Sequence, residues 1–465
     1  MELEPERALD RLVRELGKEK VLTGLDETLV YETDSSNLMG EMPLAIVTPT
    51  SVEEVSKVLK ICDEEGVPIV PRGSGTDLMG GAVPASRGVI LSLSKLNRVL
   101  DLDLDDSCVV VESGIITASL SEVLTEHGFF YAPDPSSKDV CTIGGNIAHN
   151  AGGPHCLKYG VTSNNVLGME VVLPSGKVVR LGGKALDPPG YDLQSLFYGS
   201  EGTLGVVTKA YLKLTRVPEA RRTLLAAFKD VEDAGRAVSE IIGSGIIPGA
   251  LELIDKASLD SLAVYSPDRF PKGMDAVLII EVEGYEKVID RMAERVVEIC
   301  KKNNVSLVKV AESEEERESW WKGREETTGA LGIYAPTFLD EDVSVPRSKI
   351  PETLRRLYEI AKAYNVIIAS VAHIGDGNFH PAIPFDPKDE DSKMRAFAAE
   401  RELLKVCVEM GGSITGEHGV GLSKKEFMGW MYGERELELM KRIKKVFDPK
   451  GILNPGKIFP SEKGD

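Results

Sequence analysis

The chain has 465 residues, more than the roughly 250–300 over which a single core grows, so two or three lobes are expected. Its 42% hydrophobic and 28% charged content is that of a soluble globular protein, and neither a disordered nor a membrane class is needed to explain it. With 55 basic against 74 acidic side chains the net charge is −19, which opposes nonspecific attraction to nucleic acid or an anionic membrane surface, and neither is expected as the main partner.

Residues 1–20 open with acidic MELEPERALD and hold no apolar h-region, and no run of eighteen or more apolar residues follows, so a cytoplasmic address without a transmembrane segment is expected. Residues 45–100 read as a small α/β lobe: strand AIVTP, a helix from Ser51 to about Glu65, strand VPIV, a glycine-rich loop and strand VILSL. Ser51 followed by Glu54 fits a capping box, and Val55, Val58 and Leu59 supply the apolar face of that helix. Residues 105–217 carry the β-rich runs CVVVES, GMEVVLPSG, VVRLGG and GVVTKAYLKLT, with helical ITASLSEVLTEHG between the first two, and predict a second α+β lobe. After Pro218, TLLAAF, helical VEDAGRAVSEIIGSG, AVLIIEVEG, helical YEKVIDRMAERVVEICKK and VSLVKVA suggest a β-α-β-β-α-β, ferredoxin-like cap. The acidic run ESEEERES reads as a solvated loop or helix start. Helical IPETLRRLYEIAKAYN, strand VIIASVAHIG, a final helix and the turn DPKGILNPG complete the pattern. The expected division is 1–217 (lobes of about 1–100 and 101–217), a cap over 218–415 and a C-terminal segment over 416–465.

Three stretches carry glycine in quantity. PRGSGTDLMGG (71–81) follows a strand, and its glycines permit positive φ and close backbone approach, so it can aim N–H groups at a pyrophosphate. It is neither a P-loop nor GxGxxG, and alone it reads equally well as a structural turn. PDPSSKDVCTIGGNIAHNAGGPHCLKYG (133–160) and YGSEGTLGVVT (198–208) repeat the composition. Three such loops on β structure read as the walls of one elongated site, filled by a long dinucleotide. The six cysteines never occur as Cys-x-x-Cys, which argues against a zinc ribbon or a cysteine-rich iron–sulfur segment and for reduced, buried thiols. Half of the six histidines fall in two short stretches: His373 and His380 in HIGDGNFH, and His418 after Glu417 in TGEHGVG. His373, His380 and Glu417 offer two imidazoles and a carboxylate to a divalent metal with positions left open; zinc, manganese and iron all suit such a set.

PRGSGT, TIGGNIAHNAGG and GSEGTLGVVT, in this order, resemble the FAD-binding domain of the vanillyl-alcohol oxidase and p-cresol methylhydroxylase superfamily. Within it, the chain from about residue 40 to 460 is similar to the group that contains the flavin chain of glycolate oxidase, D-lactate dehydrogenase and D-2-hydroxyglutarate dehydrogenase. The resemblance implies an α+β fold: a two-lobed p-cresol-methylhydroxylase-type FAD domain, a ferredoxin-like α/β cap and a C-terminal helical segment returning to the flavin. It implies FAD rather than NAD. Covalent attachment through a histidine occurs elsewhere in the superfamily but not typically in this group, so noncovalent FAD is expected and His149 and His155 receive no attachment role. By the resemblance, Arg72, Gly73, Ser74, Gly75, Thr76 and Asp77 wrap the pyrophosphate. Asp134, Ser137, Thr142, Gly145, Asn146, Glu201, Gly202 and Val207 line the path from adenine to flavin, and Asn454 and Lys457 in DPKGILNPGK return to it.

In the resembling enzymes the residues matching His373, His380 and Glu417 hold the metal, and the histidine matching His418 is the base. Arg324, with Thr328 four residues on in WWKGREETTGAL, matches an arginine and a threonine that hold substrate; the other reading is a solvated helix face beside Glu325 and Glu326. Asp340 in FLDEDVSVP stands where D-2-hydroxyglutarate dehydrogenase has a further lysine, which turns the expected substrate from a dicarboxylate toward D-lactate or glycolate. The implied activity is FAD-dependent oxidation of a small D-2-hydroxy acid to the 2-oxo acid. An external acceptor is then required: a quinone, an electron-transfer flavoprotein, an iron–sulfur subunit or oxygen. Peripheral membrane association through that acceptor and self-association are left open. The alternatives are a flavin-binding partner subunit of a glycolate oxidase complex and a non-redox transferase like alkylglycerone-phosphate synthase.

Overall fold

The computed structural model describes residues 5–36, 38–185 and 189–461. They fall into two compact units, the first within Met1–Gly152, Gly160–Val217 and Glu417–Asp465, the second Gly153–Tyr159 and Pro218–Gly416. The short segment 153–159, read from sequence as part of the FAD domain, goes with the second unit.

In the first unit a small sheet runs in the order Val21–Leu22, Ala45–Val47, Val89–Ser92, Ile69–Arg72, and the last three strands are mutually parallel. The crossover helix Val52–Glu65 starts where Ser51 Oγ accepts from Glu54 N at 3.3 Å. The reciprocal arm of the predicted box is displaced by one residue, because Glu54 accepts from Thr50 N at 2.7 Å. Gly66, with φ 71°, ends the helix in the left-handed conformation that glycine adopts without strain. A second, antiparallel sheet has the order Val99–Asp103, Cys108–Glu112, Val206–Lys213, Val166–Val172, Val178–Gly182. The middle of the second glycine-rich stretch, expected from sequence to be a loop, is instead the helix Ile143–His149, capped by Thr142, and Gly144 is needed because a Cβ there would lie 2.9 Å from Ser113 Cβ. The C-terminal segment joins this unit: Ile69 N donates to Ile452 O at 2.8 Å and Asn454 N to Ile69 O at 2.7 Å.

The second unit is built on one antiparallel sheet with the order Leu307–Val310, Ala220–Phe228, Ala276–Gly284, Ala250–Asp255, Ala369–His373, Asn378–Phe385, Thr337–Asp340. Numbered along the chain, the first four strands lie in the order 4-1-3-2, with helices Val231–Gly243 and Glu286–Lys302 after the first and third, which is the ferredoxin-like arrangement. The runs picked out in the sequence supply only three of those strands. The missing one is Ala250–Asp255, followed by helix Lys256–Tyr265. The sheet then continues beyond the four through strands that the sequence reading identified only in VIIASVAHIG. AVLIIEVEG is a central strand buried along nearly its whole length. ESEEERES opens the helix Glu314–Ala330, capped by Ser313. Among the described residues, all six cysteines are free thiols and no helix is long and apolar enough to cross a membrane.

Candidate active site

The loop that leaves strand Ile69–Arg72 holds the backbone N–H groups of Gly73, Ser74, Gly75 and Thr76 without a protein acceptor among the described residues. Four successive unspent donors, with Gly75 at φ 74°, suit a pyrophosphate. The side chains of Arg72 and Asp77 brace this loop instead. Arg72 Nη1 donates to Thr33 O at 2.8 Å and the guanidinium lies 5.2 Å from the centre of the Tyr31 ring. Asp77 accepts from Met79 N at 2.9 Å and from Gly81 N.

The helix Ile143–His149 spends its first three N–H groups within the protein: on Ile115 O, on Ser113 O and, from Gly145, on Thr142 Oγ1 at 3.2 Å. Asn146 is buried and its amide donates to Thr117 Oγ1 at 2.9 Å. The free N–H groups therefore belong to the first loop rather than to this helix end. The two meet at Gly73, where a Cβ would collide with Thr142 Oγ1. Gly73→Ala is expected to displace that cap and lower the flavin bound per protein several-fold, read from the ratio of flavin to protein absorbance. An unchanged ratio would mean that the loop does not face the cofactor.

Glu201 in the third loop is 4% exposed, and its carboxylate accepts from Val420 N at 2.7 Å and Gly421 N at 2.9 Å. Burial pushes this carboxyl above its usual range, against the opposing pull of His149. Asn454 donates its side-chain N–H groups to Gly81 O at 2.8 Å and Glu201 O at 2.7 Å, so it ties the first loop to the third. Lys457, donating to Val83 O at 2.6 Å and Asn454 Oδ1 at 2.9 Å, is buried, and its ammonium is brought down to about 8. Gly202 lies where a Cβ would be 3.1 Å from Pro71 Cγ, and Val207 is a buried strand residue paired with Val171. Asp134 and Ser137 are half-buried at a turn in which Ser137 O accepts from Cys141 N at 2.8 Å. His149 Nδ1 lies 3.2 Å from both Asp77 Oδ2 and His418 O. Glu417 accepts from Gly152 N at 2.8 Å.

In the second unit the hairpin Ala369–His373/Asn378–Phe385 pairs Val371 with His380. His373 is two residues beyond Val371 and so shares the face of His380. Their rings stand 5.0 Å apart at 80°. His373 Nδ1 is 2.7 Å from Glu252 Oε1, and Arg324 Nε donates to Glu252 Oε2 at 3.0 Å. Glu252 is fully buried in strand Ala250–Asp255; burial pushes its carboxyl up, but His373 and Arg324 outweigh that and hold it below the usual range. Arg324 is thus inward on the helix Glu314–Ala330, whereas Glu325, Glu326 and Thr328 lie on its exposed side. Thr328 is exposed, whereas Thr327 is buried and bonded to Gly323 O at 3.1 Å.

Asp342, also fully buried, accepts from Asn378 Nδ2 at 2.6 Å, Thr415 Oγ1 at 2.7 Å and Gly416 N at 2.7 Å, and lies 3.9 Å from His380 Nδ1. It fixes the chain immediately before Glu417 and His418. Neither Glu252 nor Asp342 stood out in the sequence, where ALELID and FLDED differ little from ordinary acidic interruptions. Asp340 is half-buried and in register with Ala382. Trp320 is a core residue, and Trp321 stacks on His155 at 6.3 Å.

Residues 43–182 match the family described as FAD binding domain, and residues 217–458 match FAD linked oxidases, C-terminal domain. The chain belongs to the FAD-linked oxidase family. Over 97% of its length and 97% of the relative, it is 40% identical to glycolate oxidase subunit GlcD of Bacillus subtilis (strain 168). It is 34% identical to D-lactate dehydrogenase of Anaerostipes hadrus, with 96% of each covered. The solved structure of p-cresol methylhydroxylase with substrate bound shares its fold at a TM-score of 0.82 and 20% identity, over 99% of this chain and 98% of that one. An alkyldihydroxyacetonephosphate synthase shares it at 0.75 and 20% identity, over 98% and 85%. The resemblance carried by the three glycine-rich motifs is therefore correct, and this FAD-linked oxidase is an FAD-dependent oxidoreductase with the p-cresol-methylhydroxylase-type fold.

Proposed function

We propose that this FAD-linked oxidase converts a small D-2-hydroxy acid, D-lactate or glycolate, to the 2-oxo acid. The observation that carries the reading is the buried cluster in which Glu252 binds Arg324 and His373, with the His380 ring facing His373. An arginine supplies the paired donors that a substrate carboxylate takes, and the Thr328 hydroxyl is a second, exposed donor on the same helix. His418 takes the hydroxyl proton as general base. FAD, when bound noncovalently in the three-loop site, accepts hydride at N5. His373, His380 and Glu417 are the ligands of a divalent metal, zinc, manganese or iron, which when bound stabilises alkoxide charge on the substrate oxygen. The donor set fits such an ion, since a His373 that gives its Nδ1 proton to Glu252 keeps the Nε2 lone pair.

Asp340 favours monocarboxylic acids, because a second substrate carboxylate beside it would meet like charge. D-2-hydroxyglutarate is accordingly the weaker candidate. Reoxidation is by an external acceptor: a quinone, an electron-transfer flavoprotein or an iron–sulfur subunit. The protein works in the cytoplasm, with any membrane contact made through that acceptor. A second reading, a flavin subunit within a larger glycolate oxidase, is favoured by the name of the Bacillus subtilis relative, a subunit. The likeness to the synthase extends to fold alone and does not support a transferase.

The test is anaerobic: D-lactate, glycolate, D-2-hydroxyglutarate and L-lactate are added separately to metal-supplemented protein while the flavin absorbance is followed. Bleaching by D-lactate or glycolate, with L-lactate inert, is expected. A flavin left oxidised by all four would overturn the dehydrogenase reading for the isolated chain and move the assignment to a flavin component of a larger oxidase.

A further inference from the structure

We infer that Glu252 is a positioning residue that fixes, through one buried carboxylate, both the metal-ligating nitrogen of His373 and the orientation of Arg324. The inference rests on the proposed roles of those two residues and concerns a third that touches neither metal nor substrate.

The carboxylate is completely buried and divides its two oxygens: Oε1 faces His373 Nδ1 at 2.7 Å and Oε2 accepts from Arg324 Nε at 3.0 Å. A carboxylate only accepts, so His373 must carry its proton on Nδ1, which leaves Nε2 as the lone-pair nitrogen. The bond to arginine uses Nε, so Nη1 and Nη2 lie outside this pair and remain the edge offered to a carboxylate. The three side chains come from strand Ala250–Asp255, strand Ala369–His373 and helix Glu314–Ala330, so one group sets the relation of three elements. A buried charge cluster is a poor device for stability alone, since apolar residues of similar volume usually do as well or better. Its use here is orientation.

Glutamine is the informative replacement. Its amide has one acceptor and one donor end, so it cannot accept from both neighbours. With its oxygen on Arg324, its NH2 group faces His373 Nδ1, which must then become the acceptor and move its proton to Nε2, the nitrogen the metal requires.

Glu252→Gln, Glu252→Asp and His373→Ala are prepared as FAD-containing proteins, stripped of metal by chelation and titrated with zinc and with manganese against a chromophoric chelator. The KM and kcat for the hydroxy acid that reduces the flavin are measured in parallel. Glu252→Gln is expected to weaken metal binding by roughly ten- to a hundredfold and to raise KM, with flavin content unchanged. Glu252→Asp, which keeps the carboxylate, recovers part of both losses and supplies the comparison if the glutamine protein does not fold. His373→Ala abolishes the metal binding. Should Glu252→Gln and Glu252→Asp lower only the melting temperature, leaving metal affinity and KM at wild-type values while His373→Ala loses the metal, the inference is overturned and the metal set stands. Metal binding indifferent to His373→Ala would overturn the ligand assignment and the inference together.

Discussion

Replacing His418 by alanine is expected to slow reduction of the bound flavin by the hydroxy acid roughly 10²–10⁴-fold, the usual contribution of a positioned base. FAD should stay bound. The link from this segment to His149 runs through the His418 carbonyl, and the adjoining Val420 and Gly421 hold Glu201 through their backbone N–H groups. Truncating the imidazole leaves all of these in place. Anaerobic stopped-flow absorbance reads the rate, and the flavin-to-protein ratio reads retention. A variant that reduces its flavin as fast as the wild type would place the base elsewhere.

The second large effect is expected from Arg324→Ala. It removes the proposed carboxylate partner, so KM should rise steeply. It also leaves a fully buried Glu252 with the His373 Nδ1 as its remaining side-chain partner within hydrogen-bond distance among the described residues. Breaking one side of a buried ion pair costs about 3–5 kcal/mol, far more than the pair contributes over an apolar substitute, because the surviving charge stays desolvated. Denaturant unfolding should therefore move to lower concentration in step with the kinetic loss. Arg324→Lys keeps the charge but not the planar fork and should recover more stability than substrate binding. A normal unfolding midpoint for Arg324→Ala would mean that Glu252 is neutralised or solvated in the variant.

Much of this was legible because particular residue types have few structural uses. Glycines clustered after a strand, and scarce histidines in two short runs, point to the cofactor loops and to His373, His380 and His418 from sequence alone. Periodicity locates the helices Val52–Glu65, Val231–Gly243 and Glu286–Lys302, whose apolar faces are long enough to read. Strand Ala250–Asp255 escapes because six residues with acids at two positions look the same in a strand edge, a turn or a helix start. That strand carries Glu252, whose importance lies in a histidine and an arginine distant in sequence. The helix Ile143–His149 is hidden by its own glycines, which weaken helix propensity but allow its close approach to Ser113. Likewise, nothing local in DPKGILNPGK shows that the Asn454 amide would be spent on the backbone of two glycine-rich loops.

That last stitch bears on biosynthesis. Asn454 meets the Gly81 carbonyl across 373 positions of chain, and a ribosome adding about 5–20 residues each second needs tens of seconds to travel that far. The second unit, Gly153–Tyr159 together with Pro218–Gly416, lies wholly inside this interval and can condense while the nascent chain is still growing. The first unit receives its last strand-like segment, beside Ile69, only after that, so its completion is expected at the end of translation.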